Sequence, residues 1–251
     1  MEQLAQKPPP RPKTDWKKRL GPIGVALAAI VKYGSIILTK GKFFISILAF
    51  VGFYWSVFGW WFAVGITASV LLHEMGHYLA VRRFGFSADL PMFLPGLGAF
   101  VKWRGATVDP NIRAQIALAG PLFGLLSGVF SYSIFLITGH GIWLAVAQFA
   151  GWVNLLNLIP VFIFDGAPAM SALGAQARWA VLLVSVALFF TLKEFLFIVL
   201  AAGVAYRLWR RDFPAEPRER LGYYFIALVI GNGFLSWYAA NQARMLFGHY
   251  R

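Results

Sequence analysis

The chain has 251 residues, of which 59% are hydrophobic, 17% aromatic and 13% charged. An ordinary soluble domain carries about 25% charged residues, so this composition excludes one and implies a polytopic membrane protein. The absence of Cys rules out disulfides and thiolate metal sites. The net charge of +13 does not imply nucleic acid, because the basic residues gather beside apolar runs, where lipid headgroups and the cytoplasmic charge bias account for them.

In chain order, residues 1–20 combine Pro8, Pro9, Pro10 and Pro12 with Lys7, Arg11, Lys13, Lys17, Lys18 and Arg19. Such a segment buries too little apolar surface to fold, and it is expected to be a disordered basic cytoplasmic tail. It lacks the form of a cleavable signal peptide. Residues 21–42 are apolar but interrupted by Lys32, Lys40 and Lys42, a pattern that suits a helix lying in the cytoplasmic interface with its lysines snorkelling. The remainder, 43–251, reads as a transmembrane domain. Apolar runs at 43–57, 60–81, 112–138, 142–164, 179–190, 195–209 and 223–240 predict an all-α membrane protein of about six to seven spans. Placing the N-terminus in the cytoplasm puts Arg82, Arg83, Lys102, Arg104, Arg178, Arg207, Arg210, Arg211, Arg218 and Arg220 on the same side, as the positive-inside rule requires.

The second of these runs holds His73, Glu74 and His77. On a helix the two imidazoles, four residues apart, project from one face about 6 Å apart along the axis. Neutral imidazole suits zinc, and a carboxylate one step round the helix can take a proton from a zinc-bound water. Helix-to-helix hydrogen bonding is the competing role for a polar cluster in a span, but an ionisable Glu between two His residues is costly in hydrocarbon and marks function.

A catalytic zinc usually has three protein ligands. Only one other acidic residue, Asp165, falls in or at the mouth of an apolar run. Pro160 must interrupt its helix just before that carboxylate. His140 and His249 belong to the outer side, so Asp165 is the best candidate for the third ligand, against the alternative of a plain Asp-Gly turn. Between the two runs, 90–94 and 99–104 flank the turn Pro95-Gly96-Leu97-Gly98, and Val101 and Trp103 alternate with Lys102 and Arg104. This predicts a β-hairpin re-entering the inner leaflet. Gly120, Gly124 and Gly128 form a stripe for close helix packing, while Asn154 and Asn157 share one helical face.

HEMGH at His73–His77, AGPL at Ala119–Leu122 and N-x-x-P-x-x-x-x-D-G at Asn157–Gly166 together resemble the site-2 protease family of intramembrane zinc metalloproteases. The resemblance covers a core of about 59–166. It implies one Zn2+ per chain held by His73, His77 and Asp165, with Glu74 as the general base. It also implies a substrate site in which Asn157 holds the oxyanion or substrate backbone and the loop of Gly96 and Gly98 receives the substrate as an added strand. The implied reaction is hydrolysis of a peptide bond in or near the transmembrane helix of a single-span membrane protein, at the plasma or inner membrane, with the active site toward the cytoplasm. The chain departs from the family at Phe164, where Leu is usual. It also joins the runs at 138 and 142 too tightly to admit a PDZ domain, which makes it a compact form. A catalytically silent scaffold or binding protein that retains a zinc site is the alternative from another class.

Overall fold

The computed structural model describes residues 21–105 and 108–248, with side chains from Lys40 onward. The expected tail 1–20 and His249 lie outside the described residues. Contacts divide the chain into two units, 1–42 and 43–251. The described part of the first is helical. All that follows concerns the second.

Helix α1 (Gly21–Phe58) contributes its residues from Phe43 onward to this unit, the first apolar run. Gly59, at φ 85°, ends it and opens α2 (Trp60–Arg83). Four short strands follow: β1 (Ser87–Ala88), β2 (Met92–Leu94), β3 (Gly98–Phe100) and β4 (Trp103–Arg104). The remaining helices are α3 (Pro110–Thr138), α4 (Ile142–Asn157), α5 (Gly166–Met170), α6 (Ala175–Leu192), α7 (Phe195–Arg210) and α8 (Glu219–Phe247). Helix α3 starts cleanly because the Asp109 side chain accepts from the Asn111 N–H at 2.7 Å and Pro110 takes the first turn. It ends on Gly139 in the left-handed conformation.

The predicted hairpin is present in an elaborated form. Inner strands β2 and β3 pair antiparallel, Leu94 opposite Gly98, and outer strands β1 and β4 pair with Ser87 opposite Arg104. Between the two ladders one strand carries an extra residue at Leu90–Pro91, a bulge, and Pro91 has no N–H to give to a ladder. The tip is a type II turn: the Leu97 N–H donates to the Leu94 carbonyl at 3.0 Å, Pro95 stands first, and Gly96 stands second at φ 76°. Phe93 anchors the ribbon to α1. It is 2% exposed, its ring packs on Phe50 at 5.3 Å, and its N–H donates to the Ser46 hydroxyl at 3.3 Å.

Among the described residues four helical stretches are long and apolar enough to cross a bilayer: Lys40–Phe58, Pro110–Thr138, Ala175–Leu192 and Glu219–Phe247. That is fewer than the six to seven expected. Helix α4 is apolar but has 16 residues, and α7 has 16 as well. The stretch expected at 179–190 is longer than its apolar run, because α6 begins at Ala175 and draws Arg178 inside it. Arg178, expected in an inner loop, is fully buried. Large apolar side chains such as Ile137, at 84% exposure, and Phe190, at 66%, point outward, as lipid-facing positions do. The protein is thus a mostly helical, multi-pass membrane protein.

The main core joins α3 to α8 around Leu118, Leu158, Met170, Leu173, Phe197, Leu200 and Phe225. Helix α3 is its centre and packs against α2, α4, α5 and α8. Its glycine stripe is what lets it. A Cβ at Gly124 would collide with the Asn154 side chain, and one at Gly128 would stand 3.1 Å from the Ala150 Cβ. On α2, a Cβ at Gly76 would strike the Ala119 carbonyl of α3.

Candidate metal centre and active site

Three elements deliver the polar groups. The last turns of α2 present His73, Glu74 and His77. Helix α4 ends at Asn157, and the irregular passage Leu158–Phe164, with Pro160 in it, turns the chain so that Asp165 returns to the same place. Phe162 takes a left-handed backbone there, φ 55°, which a non-glycine residue adopts only where the surroundings hold it.

The Asp165 carboxylate meets both imidazoles, Oδ2 at 3.1 Å from His73 Nε2 and Oδ1 at 3.2 Å from His77 Nε2. The two Nε2 atoms are themselves 3.1 Å apart. Tetrahedral ligands at the zinc bond lengths of about 2.0–2.1 Å would stand roughly 3.3 Å from one another, so the separations suit such an ion. The protons argue the same way. His77 Nδ1 is 2.9 Å from the Ile116 carbonyl, which can only accept. His73 Nδ1 is 2.6 Å from Asn154 Oδ1, and the Asn154 amide is oriented by its own Nδ2–H donating to the Ala150 carbonyl at 2.6 Å. Each imidazole therefore carries its proton on Nδ1 and turns the Nε2 lone pair inward. Two lone pairs and a carboxylate facing one another call for a cation, and the donor set of two His and one Asp fits zinc.

The backbone of α3 closes one side of this cluster. A Cβ on Gly120 would lie 2.8 Å from His73 Nε2 and still nearer His77. Glu74, 5% exposed, stands one residue along α2 from His73 and borders the same cavity as Val101. The cluster opens into a cavity of about 880 Å3 lined by His73, Glu74, Asp165, Asn157 and, from the ribbon, Gly96 through Val101. Asn157 is half-buried on its wall, and Gly96 and Gly98 lie at its rim in the ribbon tip. All the residues expected at the site thus border one space. Asn154 is an addition. Its position one helical turn before Asn157 was visible in the sequence, but its bond to His73 was not.

Residues 61–147 match the model described as Peptidase family M50. That match takes in 87 of the 251 residues. The matched segment includes His73, Glu74, His77 and the glycine stripe of α3, and it stops short of Asn154, Asn157 and Asp165. Among similar proteins, Rip3 of Mycobacterium tuberculosis, assigned by name as a zinc metalloprotease, is 33% identical over 129 residues, 46% of this chain and 32% of that protein. The chloroplastic EGY1 of Arabidopsis thaliana, also assigned by name as a zinc metalloprotease, is 29% identical over 109 residues, 41% of this chain and 18% of its own length. The chain thus spans a third or less of the curated relatives it matches. A site-2 protease from Methanocaldococcus jannaschii superposes with a TM-score of 0.40 at 19% identity, covering 70% of this chain and 90% of that one.

Proposed function

We propose that the protein is an intramembrane zinc metalloendopeptidase that cleaves a peptide bond in or near the membrane span of a single-span protein, with one zinc per chain. The observation that carries this reading is the meeting of His73, His77 and Asp165 with Glu74 at their side, in a cavity that a short β-ribbon borders. When bound, the zinc supplies Lewis acidity at the reacting carbonyl and lowers the pKa of a water. His73, His77 and Asp165 hold it. Glu74, its carboxylate aimed at the same space, takes the proton from the attacking water and later returns it to the leaving amine. The Asn157 side-chain amide donates to the developing oxyanion. A transmembrane helix must unwind before it can be cut, and β3, the inner strand packed toward α2, offers its backbone to the extended segment as an added strand. Gly96 and Gly98 keep the tip of that ribbon narrow. The site faces the cytoplasm at the plasma or inner membrane, the side on which the basic residues gather.

The test is Glu74→Gln. It retains zinc in the purified protein and loses cleavage of a single-span reporter in proteoliposomes. Turnover at the wild-type rate would remove Glu74 from the chemistry, and a folded wild type without zinc would leave His73, Glu74 and His77 as a cluster that joins helices by hydrogen bonds.

A further inference from the structure

Asp165 sits in a weak piece of structure. The helix after it, α5, has five residues, too few to stand by itself, and the passage before it is irregular. Yet its carboxylate must stay within tenths of an ångström of two imidazoles on another helix. What holds the segment is a pair of arginines from α6 and α7.

Arg178 is completely buried and every one of its five N–H donors is used. Nε donates to the Leu173 carbonyl at 3.0 Å; Nη1 donates to the Arg207 carbonyl at 3.0 Å and Asp212 Oδ1 at 2.6 Å; Nη2 donates to the Met170 carbonyl at 3.1 Å and the Asp212 carbonyl at 2.9 Å. Arg207 donates from Nη1 to the Ala167 carbonyl at 3.1 Å and pairs through Nε with Asp212 Oδ2 at 2.7 Å. The Arg218 N–H takes the Ala172 carbonyl at 2.9 Å. The carbonyls of Ala167, Met170, Ala172 and Leu173 are thereby bound one after another, starting two residues beyond Asp165. A guanidinium is the group for this task, because its planar fork reaches several carbonyls in fixed geometry. Burying one is costly unless it is paired and hydrogen-bonded; Asp212 supplies the opposite charge to both arginines, and Arg178 has every donor bound.

We propose that Arg178 and Arg207, joined by Asp212, are positioning residues of the metal centre: they clamp the backbone of residues 167–173 so that Asp165 meets His73 and His77. This rests on Asp165 being the third ligand. It gives helices α6 and α7, both beyond the matched segment, a task in the chemistry.

The experiment is a zinc competition titration against a chromogenic chelator on detergent-purified full chain, run well below the unfolding temperature of the apo protein. The variants are Arg178→Lys, Arg207→Lys, Asp212→Asn and Asp165→Asn. Arg207→Lys is the mildest, because that side chain is 13% exposed and keeps its charge. Loss of an outer partner of a metal site typically weakens affinity about 10- to 100-fold, and the clamp variants are expected to fall in that range while folded. In the Asp165→Asn background the same substitutions change affinity no further, because the clamp acts through that carboxylate. Wild-type zinc affinity in folded Arg207→Lys and Asp212→Asn, with only the unfolding temperature lowered, would make the clamp a support of the fold alone and overturn the proposal. Wild-type affinity in Asp165→Asn would remove the third ligand itself, a separate failure read from a separate variant.

Discussion

The two imidazoles are held by neighbours as exacting as the ligands. Gly120 leaves room for them by having no side chain, so Gly120→Ala pushes a methyl group against both Nε2 atoms. Overpacking of this kind costs about 1–3 kcal/mol, and because the crowded atoms are the proposed ligands, the loss is expected as roughly tenfold to hundredfold weaker zinc binding. Circular dichroism that stays helical and metal analysis that shows depleted zinc would bear this out; full zinc content would show that the rings can move aside. Asn154 fixes the His73 tautomer by accepting from Nδ1. Asn154→Leu removes that acceptor and is expected to weaken zinc about 10- to 100-fold. Asn154→Asp keeps an oxygen in place and is expected to restore most of it. Equal zinc affinity in the two variants would mean that Asn154 serves packing alone. The pair Asn154 and Asn157 was legible in the sequence as one helical face, but the division of labour between them depends on where α2 passes, which no spacing within α4 reveals.

Helix ends were largely written in the residues that make them. Pro110 after Asp109, Gly139, and Pro160 after Asn157 each mark a boundary through local chemistry. Arg178 was misplaced because its environment is made by residues far along the chain, with Asp212 34 positions away. A charge beside an apolar run reads as a loop residue until its partner is found. Burial acts to raise the Asp212 pKa, but hydrogen bonds from Arg178 and then from Arg207, with their positive charges, hold it below the ordinary carboxylate range. A carboxylate lowered on folding contributes stability that is present above its unfolded pKa of about 3.9 and is lost as pH falls through the folded value. Thermal unfolding of wild type and Asp212→Asn should therefore differ most at neutral pH and converge as the solution is acidified below about pH 4. A gap independent of pH would show that the Asp212 charge plays no part. The ribbon illustrates the other limit. Its turn was readable from Pro95 and Gly96, whereas its split into two ladders depends on the bulge at Pro91 and on Phe93 finding Phe50.

For the whole molecule, antiparallel helices sort the chain into two ends. Arg82, Arg83, Arg104, Arg207, Arg210 and Arg211 stand at the end that holds the metal cluster. His140, Lys193 and the end of α8 stand at the other, where a side chain added at Gly141 would meet the Phe247 ring. The chain has no Cys, so single Cys residues report on sidedness without interference. Cys at position 140 or 193 should react with an impermeant maleimide on intact cells, and Cys at 83 or 211 only after permeabilisation; the reverse pattern would invert the orientation. The broken passage from Leu158 to Phe164 bears on a further requirement of the whole. Peptide-bond cleavage consumes one water molecule per turnover, and hydrocarbon supplies none. Irregular backbone persists at membrane depth only where protein or water satisfies it, and this one lies beside Asp165 with Phe162 and Ile163 exposed at 88% and 96%. On the proposed reading, the break that returns Asp165 to the two imidazoles is also where water has to reach the site, and any change that straightened it into helix would carry the carboxylate away from His73 and His77.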